Sequence, residues 1–167
     1  MEFISSDTNV WIDFRVISRL SLPFLLPYTY IMYTESIASE LLNPVGFQNE
    51  LTAAGLVGVD ITIEEFELAE AWGNVYLRLS AQDRIALAIA KNRGIVLLTG
   101  DMALRKAAGK EGVSVLGTLG VLDKLYEGKY IPQDEYEYCL SELLKHNGRE
   151  VRLPSSELQK RLDSLRK

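Results

Sequence analysis

A layered α/β domain on a mostly parallel sheet is what the sequence predicts, and three observations predict it. Strand-like apolar runs and helix-like segments follow one another repeatedly along the chain. Ile95, Val96, Leu97 and Leu98 form an unbroken apolar run, without the alternation of a one-sided sheet, as a strand covered on both faces requires. The 167 residues, 47% hydrophobic and 25% charged, suffice for one sizeable core.

The elements follow in order. A first strand spans about residues 3–6 and ends at Asp7, and the helix after it stops before Pro23. Residues 28–33, aromatic and branched, read as the second strand. TESIASELLNP reads as a helix with Thr34 as its N-cap and Pro44 as its stop. Residues 47–54 form a short helix ended near Gly55, and LVGVDITI is a strand ahead of the acidic helix TIEEFELAEAWG. Ser80 caps AQDRIALAIAKNR, whose Ile85, Leu87, Ala88, Ile89 and Ala90 make a broad apolar surface, and Gly94 ends it. GIVLLT reads as a central strand, MALRKAAGKEG as the next helix and VSVLG as the next strand. TLGVLDKLYEG and DEYEYCLSELLKHNG read as helices, and Pro154 with Ser155 and Ser156 starts a last one reaching Leu165. Residues 1–130 are thus expected to form the main domain. Residues 131–167 are a helical extension, either packed on that domain or carrying contacts of a partner.

Bulk properties narrow the function. Cys139 is alone, so no internal disulfide forms, and no charged leader with a cleavage site opens the chain, which together predict a reducing, cytoplasmic setting. Even SLPFLLPYTYIMY is cut by two prolines and falls short of the roughly 18 apolar residues of a membrane span. The net charge of −5 argues against a phosphate-coating surface. From Lys145 onward, seven Lys or Arg face three Asp or Glu, a balance of +4, so the first 144 residues carry −9. That tail reads as a solvated helix face or as a contact for phosphates or an acidic partner.

Acids mark the site. In open parallel sheets ligands bind beyond the carboxyl ends of the strands, where Asp7 and Asp101 are expected. Asp83 begins the helix leading into the central strand, so its carboxylate falls at the same edge. Glu40, on the helix after the second strand, is the fourth acid. Gathered carboxylates repel unless a cation sits among them, and a hard divalent ion such as Mg²⁺ or Mn²⁺ prefers oxygen ligands. Zinc would want the Cys and His this chain almost lacks, and His146 and Cys139 lie in the tail. Thr8, Asn9 and Thr99 stand beside the acids, placed either to hold a carboxylate or water or to cap a turn. Each acid also has an ordinary role: Asp7 and Asp83 at helix starts, Asp101 as a cap paired with Arg105. Those roles do not explain why all fall on one edge. Asp13, Glu35, Asp60 and Asp123 are weaker candidates, and Glu64, Glu65, Glu67 and Glu70 read as a solvated helix face.

SDTNVW around Asp7, SELL around Glu40, LSAQDRIALAIA around Asp83 and LLTGD around Asp101 resemble the PIN-domain family of metal-dependent nucleases, which includes the VapC-like toxins of toxin–antitoxin modules. The resemblance spans about residues 2–120, and VLGTLGVLDKL with the helical tail is similar to a prokaryotic PIN subgroup. It implies a three-layer α/β/α fold, Mg²⁺ or Mn²⁺ held by Asp7, Glu40, Asp83 and Asp101, and cleavage of RNA. It also implies a homodimer and, in toxin members, a small antitoxin over the site. Glu35 lies on the same helix as Glu40 and is the alternative second acid. A binding module without turnover is the competing class. Phosphotransfer through Asp7 fits poorly, since Asn9 stands where such an enzyme would carry its second acid, and no phosphate-binding glycine motif is present.

Overall fold

The computed structural model describes residues 2–166. Its five strands are β1 (Glu2–Ser6), β2 (Tyr28–Tyr33), β3 (Val57–Val59), β4 (Val96–Leu98) and β5 (Val115–Leu116), parallel throughout and ordered β3-β2-β1-β4-β5. The described helices are α1 (Thr8–Val16), α2 (Thr34–Glu40), α3 (Phe47–Ala54), α4 (Ile63–Ala71) and α5 (Ala81–Arg93), then α6 (Met102–Lys110), α7 (Thr118–Glu127), α8 (Gln133–His146) and α9 (Ser155–Leu165). This is the expected three-layer α/β/α architecture.

The layers follow from strand alternation. Leu98 of β4 joins a core with Ile4, Trp11, Phe14 and Tyr30 and with residues of α3, α7, α8 and α9. Its neighbour Leu97 turns the other way, into a second core built from α4, α5 and α6. On β1, Ile4 lies in the first core, while the Ser5 hydroxyl donates to the Ala86 carbonyl of α5 at 2.8 Å. The chain runs outward from β1 through β2 and β3, then returns by α4 and α5 to β4 on the far side of β1. That reversal opens a crevice at the carboxyl edge between β1 and β4. The register Ser6 against Leu98 brings Asp7 and Thr99 side by side there, and the Asp7 amide donates to the Leu98 carbonyl at 2.9 Å.

Local chemistry sets the helix ends. Ser80 and Asp83 form a reciprocal capping box at the start of α5, and Gly94 closes it in the left-handed region at φ 64°. Helix α1 stops at Val16, well short of Pro23, because Ser18 takes a positive φ of 57°. Pro23 lies in a 3₁₀ turn (Leu22–Leu25) that carries Phe24 onto Trp11, stacked with ring centroids 5.1 Å apart. Three expectations shift. Thr34 is the first residue of α2 rather than its cap, and α2 ends at Glu40 before reaching Pro44. The strand in LVGVDITI shrinks to the three residues of β3, because Thr62 is taken by the capping box that starts α4. Glu65 does not belong to a solvated face.

Glu65 is 1% exposed. Its carboxylate completes the Thr62 capping box, accepting from the Thr62 amide at 2.9 Å, and also accepts from Arg93 at 2.8 Å and Asn92 at 3.1 Å. Burial alone would raise its pKa, but these donors outweigh burial and hold it below the ordinary glutamate value. The acid therefore ties the start of α4 to the end of α5. On the opposite face, Asp123 of α7 accepts from the Tyr136 hydroxyl at 2.6 Å and from the Arg161 fork at 2.8 Å, joining α7, α8 and α9. Tyr126 stacks on Tyr136 at 4.4 Å, and Leu140, Leu143, Leu158 and Leu162 enter the same core as Ile4. No described helix is long and apolar enough to cross a membrane.

Glu65→Ala is expected to lower the unfolding free energy by about 2–3 kcal/mol, since it removes the acceptor of the Thr62 amide and of the partly buried Arg93 guanidinium. Glu64→Ala, on the exposed face, should stay within about 0.5 kcal/mol. Urea denaturation of the two variants checks this, and equal losses would refute the anchoring role.

Candidate active site

Four acids from four separate segments lie near the carboxyl edge of the sheet, linked by their charges. Asp7 follows β1 directly and is 6% exposed. It occupies the N-cap position of α1 yet makes no capping hydrogen bond. It accepts the Thr99 hydroxyl at 2.9 Å, and Thr99 in turn accepts the Asp101 amide at 3.1 Å. Thr99 thus locks the ends of β1 and β4 to each other through side chains. Asn9 adds a second tie, accepting the Gly100 amide at 3.0 Å. Thr8 reaches the other way, donating to Glu40 at 2.5 Å. All three flanking residues read from the sequence are therefore engaged in holding the acids or the loop between them.

The acids act on one another. Burial first, then the Asp83 charge and, more weakly, Glu40, push the Asp7 carboxyl up to about 7, against the opposing pull of the Thr8 amide and the Thr99 hydroxyl. Glu40, half-buried, is raised by burial and by Asp83, with the Thr8 hydroxyl opposing. Asp83 is raised by burial and by the Asp101 charge, and is held down by Ser80 and Arg84. These couplings link Asp7, Glu40 and Asp83 directly, and Asp101 through Asp83. Asp7 and Glu40 also line one small cavity of about 10 Å³, room for about one water molecule.

The positions separate structural from unexplained carboxylates. Asp101 caps α6 by accepting the Leu104 amide at 3.0 Å, and Asp83 serves the α5 capping box. Asp7 has no such use, and Glu40 ends α2, where the helix dipole disfavours an anion. Glu35 is exposed on the first turn of the same helix and does not enter the couplings of Asp7 and Asp83. Asp13 is buried and accepts the Thr118 hydroxyl at 2.6 Å, and burial pushes it up to about 6. Asp123 is consumed by Arg161. The expected Asp101–Arg105 pair is absent: among the described residues, Arg105 has no carboxylate within ion-pair distance. Arg84, the cation beside Asp83, went unread although it is the next residue in the chain.

The donors are carboxylates and hydroxyls, a set that suits a hard divalent cation in kind. Among the described residues no three His, Cys, Asp or Glu side chains are gathered tightly enough to hold an ion. One oxygen each of Asp83 and Asp101 accepts a capping amide, from Ser80 and Leu104. Cys139 is buried beside Glu135, and His146 lies by Glu150, both in the tail.

A family model described as a PIN domain matches residues 3–167. The chain belongs to the PIN-domain family. Neither the curated proteins nor the solved structures returned a match. The PIN fold is one on which nucleases are typically built, so the family agrees with the acidic crevice found here.

In the metal-free PIN domain, Asp7 costs stability. Below the ordinary aspartate value of 3.8, folded and unfolded chains both hold its proton and nothing is lost. As pH climbs from there to about 7 only the folded chain stays protonated, so stability falls, and above about 7 the full cost stands. Asp7→Asn is expected to remove on the order of a few kcal/mol of strain. In EDTA at pH 8 its Tm should rise by about 5 °C, with little change at pH 4. A thermal scan at both pH values decides it; a fall in Tm at pH 8 would contradict the buried-charge account.

Proposed function

We propose that this chain is a metal-dependent endoribonuclease that hydrolyses RNA phosphodiester bonds. The observation that carries the reading is that Asp7, Glu40 and Asp83 repel one another at the carboxyl edge of a nuclease-family sheet, with Asp101 acting on Asp83. Asp7 and Glu40 are expensive where they stand, and a cation removes that expense. In this reading Asp7, Asp83 and Asp101 would hold Mg²⁺ or Mn²⁺, and Glu40 would complete the set or position the attacking water. When bound, the ion supplies positive charge and Lewis acidity for in-line attack on phosphorus. The water oxygen bonds to phosphorus and the bond to the leaving ribose oxygen breaks. One product keeps the hydroxyl and the other takes the proton. Thr99 and Thr8 hold Asp7 and Glu40 in register, and Asn9 fixes the loop that carries Asp101.

Residues 1–130 are the catalytic domain in this proposal and 131–167 its helical extension. The cellular setting that fits is the toxin of a toxin–antitoxin pair, active in the cytoplasm as a homodimer and silenced by a small antitoxin over the acids. The −9 carried by residues 1–144 disfavours unspecific RNA binding, as a selective or partner-controlled nuclease requires. A binding module would have no need for the uncompensated Asp7 and Glu40.

Cleavage of an end-labelled, mixed RNA pool tests the reading. The wild type should cut with Mn²⁺ or Mg²⁺ and not in EDTA. Asp101→Asn should lose at least about a hundredfold, more than the loss typical of a residue supporting a metal ligand. Cutting that survives in EDTA or in Asp101→Asn removes the assignment.

A further inference from the structure

A cleft of about 1210 Å³ opens directly from Asp101, Asn9 and Gly100 and runs to the C-terminal segment. It is larger than the about 300–1,000 Å³ of a small-molecule pocket. Its near wall holds Ile12 and Met102, 39% and 62% exposed, which are apolar surfaces left open beside the acids. Arg105 stands above them with its guanidinium over Gly117, where an added Cβ would meet Nη1 at 3.2 Å. The far wall is the turn between α8 and α9, with Asn147, Arg152 and Leu153, and Arg152 is exposed. The turn is braced, since Asn147 accepts the Leu153 amide at 2.8 Å and the Gly148 amide donates to Val151 at 2.8 Å.

The charges in this cleft are unevenly matched. Arg161 is spent on Asp123 and Glu157, Asp13 on Thr118, and Glu150 contacts His146. Among the described residues, Arg105 and Arg152 have no carboxylate within ion-pair distance. Two unpaired arginines from separate elements, lining one cleft with open apolar surface, match an unpaired nucleic-acid strand, which offers phosphates and bare base faces together. A duplex hides its base faces, and an acidic peptide would leave the apolar surface unused.

Building on the nuclease reading above, we infer that this cleft is the track for single-stranded RNA on one side of the scissile phosphate. Arg105 and Arg152 take its phosphates, and the turn between α8 and α9 sets which bases fit. The basic tail noted in the sequence thus works through Arg152, in the cleft that Asp101 also lines, while residues 1–144 stay net negative.

The test uses the full chain carrying Asp7→Asn to prevent turnover, with a labelled single-stranded RNA of mixed sequence followed by anisotropy across a salt series. Arg105→Gln and Arg152→Gln should each weaken binding by about three- to tenfold at low salt and flatten the slope of log K against log salt by about 0.7. Lys145→Gln, exposed on α8, should leave the slope unchanged. In the active protein the two arginine variants should raise KM and keep kcat. If the wild type cuts RNA normally while both arginine variants keep its slope and KM, the cleft assignment fails and the nuclease stands. If the wild type neither binds nor cuts RNA, both readings fall.

Discussion

A carboxylate removed from water beside other carboxylates is the constraint on which this structure is arranged. Asp7 sits at the end of the central strand, nearly sealed, with Asp83 and Glu40 pressing on it. Nothing local requires it: α1 begins without a capping bond from it. The surroundings instead restrain it, through Thr99 across the β1/β4 seam and through Thr8, which holds Glu40 at the same opening. The stability that tolerates this comes from elsewhere, from two apolar cores and from polar anchors such as Glu65 and Asp123 that are fully answered by donors. Glu65 and Asp123, away from the crevice, are each answered by an arginine, whereas Asp7 and Glu40 within it have no cation among the described residues. That division separates chemistry from architecture without reference to any relative.

Much of this was legible in the chain. The β4 run could be read because a strand covered on both faces has no polar side to show, and Leu97 and Leu98 do enter opposite cores. The Ser80 cap and Gly94 stop of α5 could be read because capping is a local contract between residues three apart. Local rules failed where a partner was distant. Glu65 looks like its neighbours in sequence, and only Arg93 and Asn92, a helix away, make it an interior residue. Thr62 belongs to a branched, strand-like run, and the capping box overrides that propensity.

The same distinction governs the site. That the acids fall on one edge follows from alternation of strand and helix, so it was open to inference. That Asp83 and Asp101 spend an oxygen on their own helices was foreshadowed by their positions. The choice of Glu40 over Glu35 as the acid that faces Asp7 needed coordinates, because both lie on one short helix and only the depth of each distinguishes them. The cleft was out of reach altogether. Its walls come from residues as far apart as Asn9 and Arg161, and no periodicity connects them.

The two cores have one more meaning. Asp7 and Glu40 belong to segments seated in the core on one face of the sheet, through Trp11 and Ile37, whereas Asp83 and Asp101 belong to helices seated in the other. The first of these cores also needs Leu140, Leu158 and Leu162 from late in the chain. Bringing the four acids to one edge therefore draws on both cores at once. The acid edge is thus a seam between the two layers, and its geometry depends on how each is packed, including the late helices on one side.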